Sequence, residues 1–173
     1  MTGPPALDIA RIVEVFTRHG VEFLVIGGVA GRLYGASRVT EDMDVVASRE
    51  IANLDRVAAA LRELGAFLRV GGLDDETARS LPVILDGENL ANLDVSTWRT
   101  DAGDIDILAV LRSEDGSRIE YNDLRDRAQH SRLGDVEVTL ASLDDIIGSK
   151  RFADRPKDRE ALPELVALRD GPK

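Results

Sequence analysis

Apolar residues recur along the chain with two spacings, one typical of helices and the other of strands. In residues 7–19, Ile9, Ile12 and Phe16 share one helical face, and Gly20 follows the last turn. Residues 21–26 form a short apolar run rich in strand-forming residues instead, which favours a short buried strand. By these criteria we expect further helices over residues 28–34, 49–64, 121–129, 143–152 and 156–168, and further strands over residues 43–47, 93–98, 104–110 and 136–140.

Turn and capping residues mark where several of these elements begin and end. Ser48 is placed to cap the third predicted helix, and Gly65 follows the last turn of that helix. The strands over residues 93–98 and 104–110 are close enough in the chain to form a hairpin. Residues 66–92 mix a short apolar stretch, a glycine pair and polar segments, so their pattern predicts no definite element.

Length and composition limit the kinds of protein that this chain can be. The 173 residues are enough to bury a substantial core, and we expect them to form a single domain. Cysteine is absent, which excludes disulfides and thiolate chemistry. Residues 1–5 lack the features of a secretory signal, and no segment is apolar enough to span a membrane. We therefore expect a cytoplasmic protein with no membrane contact.

The charge is strongly acidic overall but locally basic near the C-terminus. A net charge of −10 argues against broad, nonspecific nucleic-acid binding, which depends on many contacts from lysine and arginine to phosphate. Residues 150–159 nevertheless contain five lysines and arginines against two aspartates. A polyanion would approach this segment, although a solvated helix face with internal ion pairs explains the same pattern.

An aspartate pair, Asp42 and Asp44, is the most informative chemical feature of the chain. Side chains alternate faces along a strand, so both carboxylates project from the same side. Two neighbouring carboxylates repel each other in a core, whereas they suit the binding of divalent cations such as Mg²⁺. Gly27 and Gly28 end the preceding apolar run, at a turn where backbone N–H groups can approach a phosphate. Such a glycine pair is also common as a purely structural feature.

Asp106 is the strongest candidate for a third carboxylate at the same site. It lies between Ile105 and Ile107, where an unpaired charge is costly, although for this residue alone a place on the polar, exposed face of the hairpin is the better explanation. Asp94 and Asp104 compete for the same role. Glycine spacings in the chain match neither a dinucleotide-binding fingerprint nor a P-loop, so both of those classes are excluded.

Taken together, these residues resemble the nucleotidyltransferase superfamily of the DNA polymerase β type, and more closely the small bacterial proteins related to AbiEii-type toxins. In that group a Gly-Gly turn precedes an Arg-x-Thr-x-Asp-x-Asp motif, which residues 38–44 match completely. Its C-terminal signature is a lysine followed by Arg-Pro-Lys-Asp, matched here by Lys150 and residues 155–158. Several relatives carry a further acid after the Lys-Asp pair, where this chain has Glu160 and Glu164.

The resemblance implies an α/β (α+β) nucleotidyltransferase fold, a mixed β-sheet flanked by helices with further helices at the C-terminus. It also implies that Asp42 and Asp44 bind two Mg²⁺ ions, while Asp106 completes the site and accepts the proton of the attacking hydroxyl. Lys150 is grouped with these catalytic residues. The residues expected to bind the nucleotide and its phosphates, or to shape the turn around them, are Gly27, Gly28, Arg38, Thr40, Lys150, Lys157 and Asp158.

The activity implied by the resemblance is transfer of a nucleoside monophosphate from a nucleoside triphosphate (NTP) to an acceptor hydroxyl, with release of pyrophosphate. As a toxin of a toxin–antitoxin pair, the protein would modify RNA, such as a tRNA 3′ end, or another protein, and a cognate antitoxin would oppose it. One alternative is a small-molecule nucleotidyltransferase, because the acidic composition suits a cationic, aminoglycoside-like antibiotic. Another is a catalytically inactive module that binds a nucleotide or a partner protein.

Overall fold

Helices and strands are interleaved along most of the chain in this computed structural model, which describes residues 3–172. The helices are α1 (Ile9–Arg18), α2 (Gly27–Leu33), α3 (Ile51–Glu63), α4 (Asp75–Arg79), α5 (Gly87–Ala91), α6 (Tyr121–Asp126), α7 (Leu143–Ala153) and α8 (Pro156–Asp170). The strands are β1 (Phe23–Ile26), β2 (Asp42–Ala47), β3 (Phe67–Leu68), β4 (Val95–Thr100), β5 (Gly103–Leu108), β6 (Leu111–Arg112), β7 (Arg118–Ile119), β8 (Gln129–Leu133) and β9 (Val136–Leu140).

Seven strands form one mixed sheet in the order β3-β4-β5-β2-β1-β9-β8, while β6 and β7 pair separately. Strand β2 is antiparallel to β1 and parallel to β5. Strand β9 is parallel to β1, and the outer pairs are antiparallel. The strand that begins with the aspartate pair therefore lies in the middle of the sheet.

Alternation along β2 separates an apolar face from a face that carries the aspartates. Met43 and Val45 are fully buried, whereas Asp42 and Asp44 are half-buried on the opposite face. The apolar face packs in one core cluster with α1 and α3. Complete burial of each aliphatic side chain stabilises the fold by roughly 1.5–3 kcal/mol. Representative members of this cluster are Ile12, Phe16, Val25, Val45, Leu54, Leu61 and Ile105.

The strand register aligns the aspartates of β2 with those of β5. Asp42 pairs with Asp104, and Asp44 pairs with Asp106, along the two parallel strands. Because directly paired residues project to the same face, four carboxylates share one face of the sheet. On the other side of β2, the last residue of β1 pairs with Asp44, so α2 begins directly beside the carboxylates.

Helices α7 and α8 meet at a sharp turn. Ser142 caps α7, because its Oγ accepts a hydrogen bond from the Asp145 N–H at 3.1 Å. Asp154 ends α7 in the left-handed region, with φ 48°. The turn brings Lys150 of α7 within 3.5 Å of Asp158 of α8, measured from Nζ to Oδ1.

Most predicted elements are confirmed, with ends that agree within two residues, but the helix predicted over residues 121–129 is shorter than expected. That helix ends at Asp126, and Gln129 begins the edge strand β8, whose side chains are mostly polar and carry little periodic signal. Ser48 does not cap α3, since Glu50 occupies the N-cap position. The Ser48 carbonyl instead accepts a hydrogen bond from Asn53 Nδ2 at 2.9 Å.

Residues 66–92, which carry no clear pattern, contain β3, α4 and α5. Each of these elements has two to five residues, too few to complete a recognisable period. Asp74 caps α4 and Asp86 caps α5 by accepting hydrogen bonds from backbone N–H groups three residues later, both at 2.8 Å. Over residues 3–172, no helix is both long and apolar enough to cross a membrane.

Candidate active site

Three carboxylates, those of Asp42, Asp44 and Asp106, come together on the polar face of the sheet. One oxygen of each lies within 4.8 Å of the others, and all three side chains are half-buried. Asp42 and Asp44 share this face because they are two residues apart on β2, and Asp106 joins them through the pairing of β2 with β5. At this spacing the three carboxylates can bind the same cation.

Nearby cations balance the charge of these carboxylates only in part. Burial, the charges of Asp42 and Asp106 and a hydrogen bond with Asp106 raise the pKa of Asp44 to about 7, although Lys157 opposes the shift. Asp106 Oδ1 is buried and has no hydrogen-bond partner among residues 3–172. Oxygen donors with uncompensated negative charge are the ligands that hard divalent cations prefer. The three residues therefore fit Mg²⁺.

Gly27 makes room for one of the carboxylates. Its φ is +65°, in the left-handed region that favours glycine, and a Cβ at this position would collide with Asp44 Oδ2. Gly28 lies beside Thr40, where a Cβ would come within 3.1 Å of the threonine side chain. The glycine pair thus allows the start of α2 to approach the carboxylates closely.

Asp104 shares the face of the triad but is bound by arginines. Arg99 donates from Nε to Asp104 Oδ1 at 2.9 Å and from a second nitrogen to Oδ2 at 3.0 Å, and Arg69 contributes another bond at 3.2 Å. Asp94 is different again, because its side chain is largely exposed and faces Arg118 at 4.0 Å. Of the three competing aspartates, Asp106 alone joins the cluster with Asp42 and Asp44.

Basic side chains from α7 and α8 lie next to the triad. Asp158 is fully buried and accepts hydrogen bonds from Arg155 Nε at 2.7 Å and from Lys150 Nζ at 3.5 Å. Burial alone raises the pKa of Asp158, but the hydrogen bonds and charge of Arg155, together with Lys150, lower it overall. The predicted role of Asp158, orienting a basic group, agrees with these contacts.

A cavity lies between the triad and these basic side chains, and we call it the basic cavity. Most of the residues predicted to bind phosphate line it. Glu41, Asp42 and Asp44 form its acidic wall. The glycines and cations that line it are Gly27, Gly28, Arg38, Lys150, Arg155 and Lys157. Thr40 also lines it, and its Oγ1 donates to the Asp42 carbonyl at 3.0 Å, which helps to shape the turn before the aspartates.

Helix α8 also holds the segment that leads into β2. Glu160 accepts a hydrogen bond from Arg38 at 2.9 Å, and Glu164 accepts one from the Ser37 N–H at 2.9 Å. These two glutamates are the acids that follow the Lys-Asp pair in the sequence. Their contacts stabilise the position of Arg38 at the edge of the basic cavity.

Arg155 is a site residue that the sequence prediction did not include, although the C-terminal signature contains it. It lines both the basic cavity and a second, more apolar cavity. The hydrogen bond to Asp158 is the main cause that raises the pKa of Arg155; burial opposes the increase, and the charges of Asp44 and Asp42 add to it. One feature of the sequence could have indicated this role. Arg155 lies three residues before Asp158, a spacing at which two side chains meet across one helical turn.

Comparisons with known proteins support the fold through structure rather than sequence. No protein-family model matches the chain, and no curated protein matches it in sequence. Among solved structures, the lincomycin-bound lincosamide antibiotic adenylyltransferase LnuA superposes with a TM-score of 0.61 at 14% identity, covering 94% of this chain and 99% of that one. The antibiotic-resistance factor ANT(2″)-Ia, in complex with adenylyl-2″-tobramycin, superposes with a TM-score of 0.60 at 16% identity, covering 94% and 87%.

A Thermotoga maritima protein described as a nucleotidyltransferase also superposes, with a TM-score of 0.56 at 15% identity, covering 91% of this chain and 89% of that one. Together with the mixed sheet and its flanking helices, these likenesses confirm the predicted nucleotidyltransferase fold. At such low identity they concern the fold alone. The closer likeness to AbiEii-type toxins stays a prediction.

Proposed function

We propose that this protein is a Mg²⁺-dependent nucleotidyltransferase, which transfers a nucleoside monophosphate from an NTP to the hydroxyl of an acceptor and releases pyrophosphate. The observation that carries the proposal is the cluster of Asp42, Asp44 and Asp106 beside a cavity rich in cations. Neither part alone is specific. Their juxtaposition on a nucleotidyltransferase fold supports phosphoryl chemistry over simple anion binding.

Asp42, Asp44 and Asp106 would bind the Mg²⁺ ions, expected to number two. When bound, the metal neutralises phosphate charge and lowers the pKa of the acceptor hydroxyl. The raised pKa of Asp44 supports this role, because a cation beside the carboxylate would favour its ionised form. The unpartnered Oδ1 of Asp106 supports it as well.

Residues of the basic cavity would bind the triphosphate. Lys150, Arg155 and Lys157 supply positive charge, and the backbone at Gly27 and Gly28 supplies N–H donors at the start of α2. Asp158 would act as a positioning residue, since it binds both Arg155 and Lys150. Arg38 would contact phosphate at the edge of the cavity.

The transfer would proceed by in-line displacement at the α-phosphate. The acceptor oxygen forms a bond to the α-phosphorus, while the bond to the bridging oxygen of the leaving pyrophosphate breaks and that oxygen keeps the electron pair. The acceptor proton would pass to the carboxylate of Asp106, the residue that the resemblance places beside the attacking hydroxyl. Holding both reactants in this arrangement would supply much of the rate enhancement.

A radiolabel transfer assay tests the proposal. The protein is incubated with Mg²⁺ and each α-³²P-labelled NTP, with RNA, protein extract or small hydroxylated compounds as separate acceptors. Asp106→Asn and Asp104→Asn form a matched pair, because both carboxylates lie on the same face of β5. We expect Asp106→Asn to lose at least about 100-fold in rate and Asp104→Asn to stay within about threefold of wild type.

The outcome separates enzyme from binding module. If the folded protein binds NTP but transfers label to no acceptor and releases no pyrophosphate, the inactive-module alternative replaces the proposal.

The toxin hypothesis has a separate test. Expression of the wild-type protein should inhibit growth, whereas expression of Asp44→Ala should not. Equal inhibition by both would exclude nucleotidyl transfer as the cause of toxicity.

A further inference from the structure

A second cavity borders the triad and differs in chemistry from the basic cavity. It has a volume of about 250 Å³ and also includes Asp106 and Ser149. Gly27, Asp44, Lys150 and Arg155 line both cavities. We call it the aliphatic cavity, because most of its remaining wall consists of Ile26, Val95, Leu108, Leu111, Ile146 and Ala153.

The aliphatic wall has two sides that face each other, one from the strands and one from α7. Leu108 follows Asp106 by two residues on β5, and Val95 of β4 pairs directly with Leu108, so both continue the face that carries the triad. Opposite them, α7 contributes Ile146 and Ala153. Since these two helix residues are seven apart, they lie on the same side of α7.

The order of the carboxylates determines which reactant would enter each cavity. Asp42 lines only the basic cavity, Asp106 lines only the aliphatic cavity, and Asp44 lines both. An in-line displacement places the attacking and leaving oxygens on opposite sides of the phosphorus. With pyrophosphate leaving through the basic cavity, the acceptor hydroxyl must arrive beside Asp106, from the aliphatic cavity.

The charge of this cavity disfavours a polynucleotide. Among the described residues that line it, the cations are Lys150 and Arg155, and both are bound to Asp158 and shared with the basic cavity. Recognition of RNA relies on many contacts to phosphate, which this wall does not offer. Val95, by contrast, is 56% exposed at the cavity, and an exposed apolar residue beside a reactive site favours contact with an apolar part of a ligand.

We propose that the acceptor is a small molecule whose reactive hydroxyl lies next to an apolar group, and that the aliphatic cavity binds this apolar group. The inference rests on the proposed function and uses the transfer step written above. The volume of about 250 Å³ is below that of drug-sized sites, roughly 300–1,000 Å³, so the cavity holds one compact group while the rest of the acceptor stays outside.

A series of simple diols tests the proposal. The acceptors are 1,2-propanediol, 1,2-butanediol and 1,2-hexanediol, each with Mg²⁺ and the labelled NTP that supports pyrophosphate release. The product measured is the nucleoside monophosphate ester of the diol. We expect kcat/KM to rise about fourfold for each methylene buried, until the cavity is full.

Two valine variants test whether the gain in kcat/KM per methylene depends on the wall of the aliphatic cavity. Val95→Thr keeps the size of the side chain but adds a hydroxyl to the wall, so it should reduce the gain per methylene while the Kd for NTP is unchanged. Val83→Thr is the matched control: Val83 is 42% exposed and lies near Trp98, whose side chain is on the opposite face of the sheet. This control should behave as wild type.

Three results would overturn the proposal without touching the proposed function. One is a flat diol series, and another is labelling of RNA or protein that Val95→Thr does not alter. The third is a weaker Kd for NTP in Val95→Thr, which would assign the aliphatic cavity to the nucleobase. Absence of pyrophosphate release with every acceptor would instead contradict the proposed function itself.

Discussion

Gly27 and Asp44 are so close that no side chain larger than hydrogen fits at position 27, because a Cβ would overlap Asp44 Oδ2. The contact follows from the sheet register, in which Ile26, the residue before Gly27, pairs with Asp44. It joins the first turn of α2 to the carboxylate that both cavities share. The spacing between these two residues therefore controls the geometry of the whole candidate site.

Gly27→Ala should displace Asp44 and strongly reduce activity. Backbone strain at a positive φ costs about 1–2 kcal/mol, and a carboxylate moved by about 1 Å costs on the order of 100-fold in rate. Gly134→Ala is the matched control, since Gly134 has φ +63° and no atom lies within 4 Å of its would-be Cβ. Both variants share the backbone strain in urea unfolding, and Gly27→Ala adds the overlap with Asp44, but only Gly27→Ala should lose transfer activity per folded molecule. Equal activities would contradict the link between Gly27 and Asp44.

The raised pKa of Asp44 predicts a pH-dependent cost to folding in the absence of metal. The ordinary value is 3.8 and the folded value is about 7, so between these pH values the folded protein binds a proton that the unfolded chain has lost. The contribution of Asp44 to the free energy of unfolding is therefore fully present below about pH 4. It decreases by a few kcal/mol in total as the pH rises to about 7. Asp44→Asn removes the titration.

Urea unfolding of wild type and Asp44→Asn in EDTA, from pH 4 to pH 8, measures this effect. The stability of the variant relative to wild type should increase with pH over that interval. Adding Mg²⁺ at pH 8 should then stabilise wild type more than the variant, because the ligand binds the folded state. Parallel stability curves in EDTA would show that Asp44 titrates normally.

Asp158→Asn should destabilise the fold by about 2 kcal/mol, because Arg155 and Lys150 lose the charge of a fully buried acceptor. Asp154→Asn is the comparison: Asp154 bonds to Arg159 on the surface, and asparagine tolerates the left-handed conformation at this position. Its cost should be clearly smaller than that of Asp158→Asn, because solvent screens the exposed pair. Thermal or urea unfolding of the two variants checks the difference, and equal losses would mean that Asp158 is not a special support of the site.

Periodicity and short-range spacing predicted much of this protein correctly. The period of two in β2 put Asp42 and Asp44 on one face, and the apolar stripe at helical spacing predicted α1 with both ends within two residues. Gly65, the glycine that follows the last turn of α3, is a local feature as well. Such features depend on residues that are neighbours in the chain, so the sequence by itself determines them. The prediction that residues 1–173 form one domain stays a prediction.

Only the tertiary structure decided which distant residues meet. Asp104 and Asp106 lie two residues apart on the same face of β5. Arginines nevertheless bind Asp104, while Asp106 Oδ1 has no hydrogen-bond partner among the described residues. The sequence did not indicate that Arg155 would line both cavities, or that α7 would close an aliphatic wall over Val95 and Leu108. Strand register and helix packing determine these contacts, and both arise from burial of the whole core rather than from any local pattern.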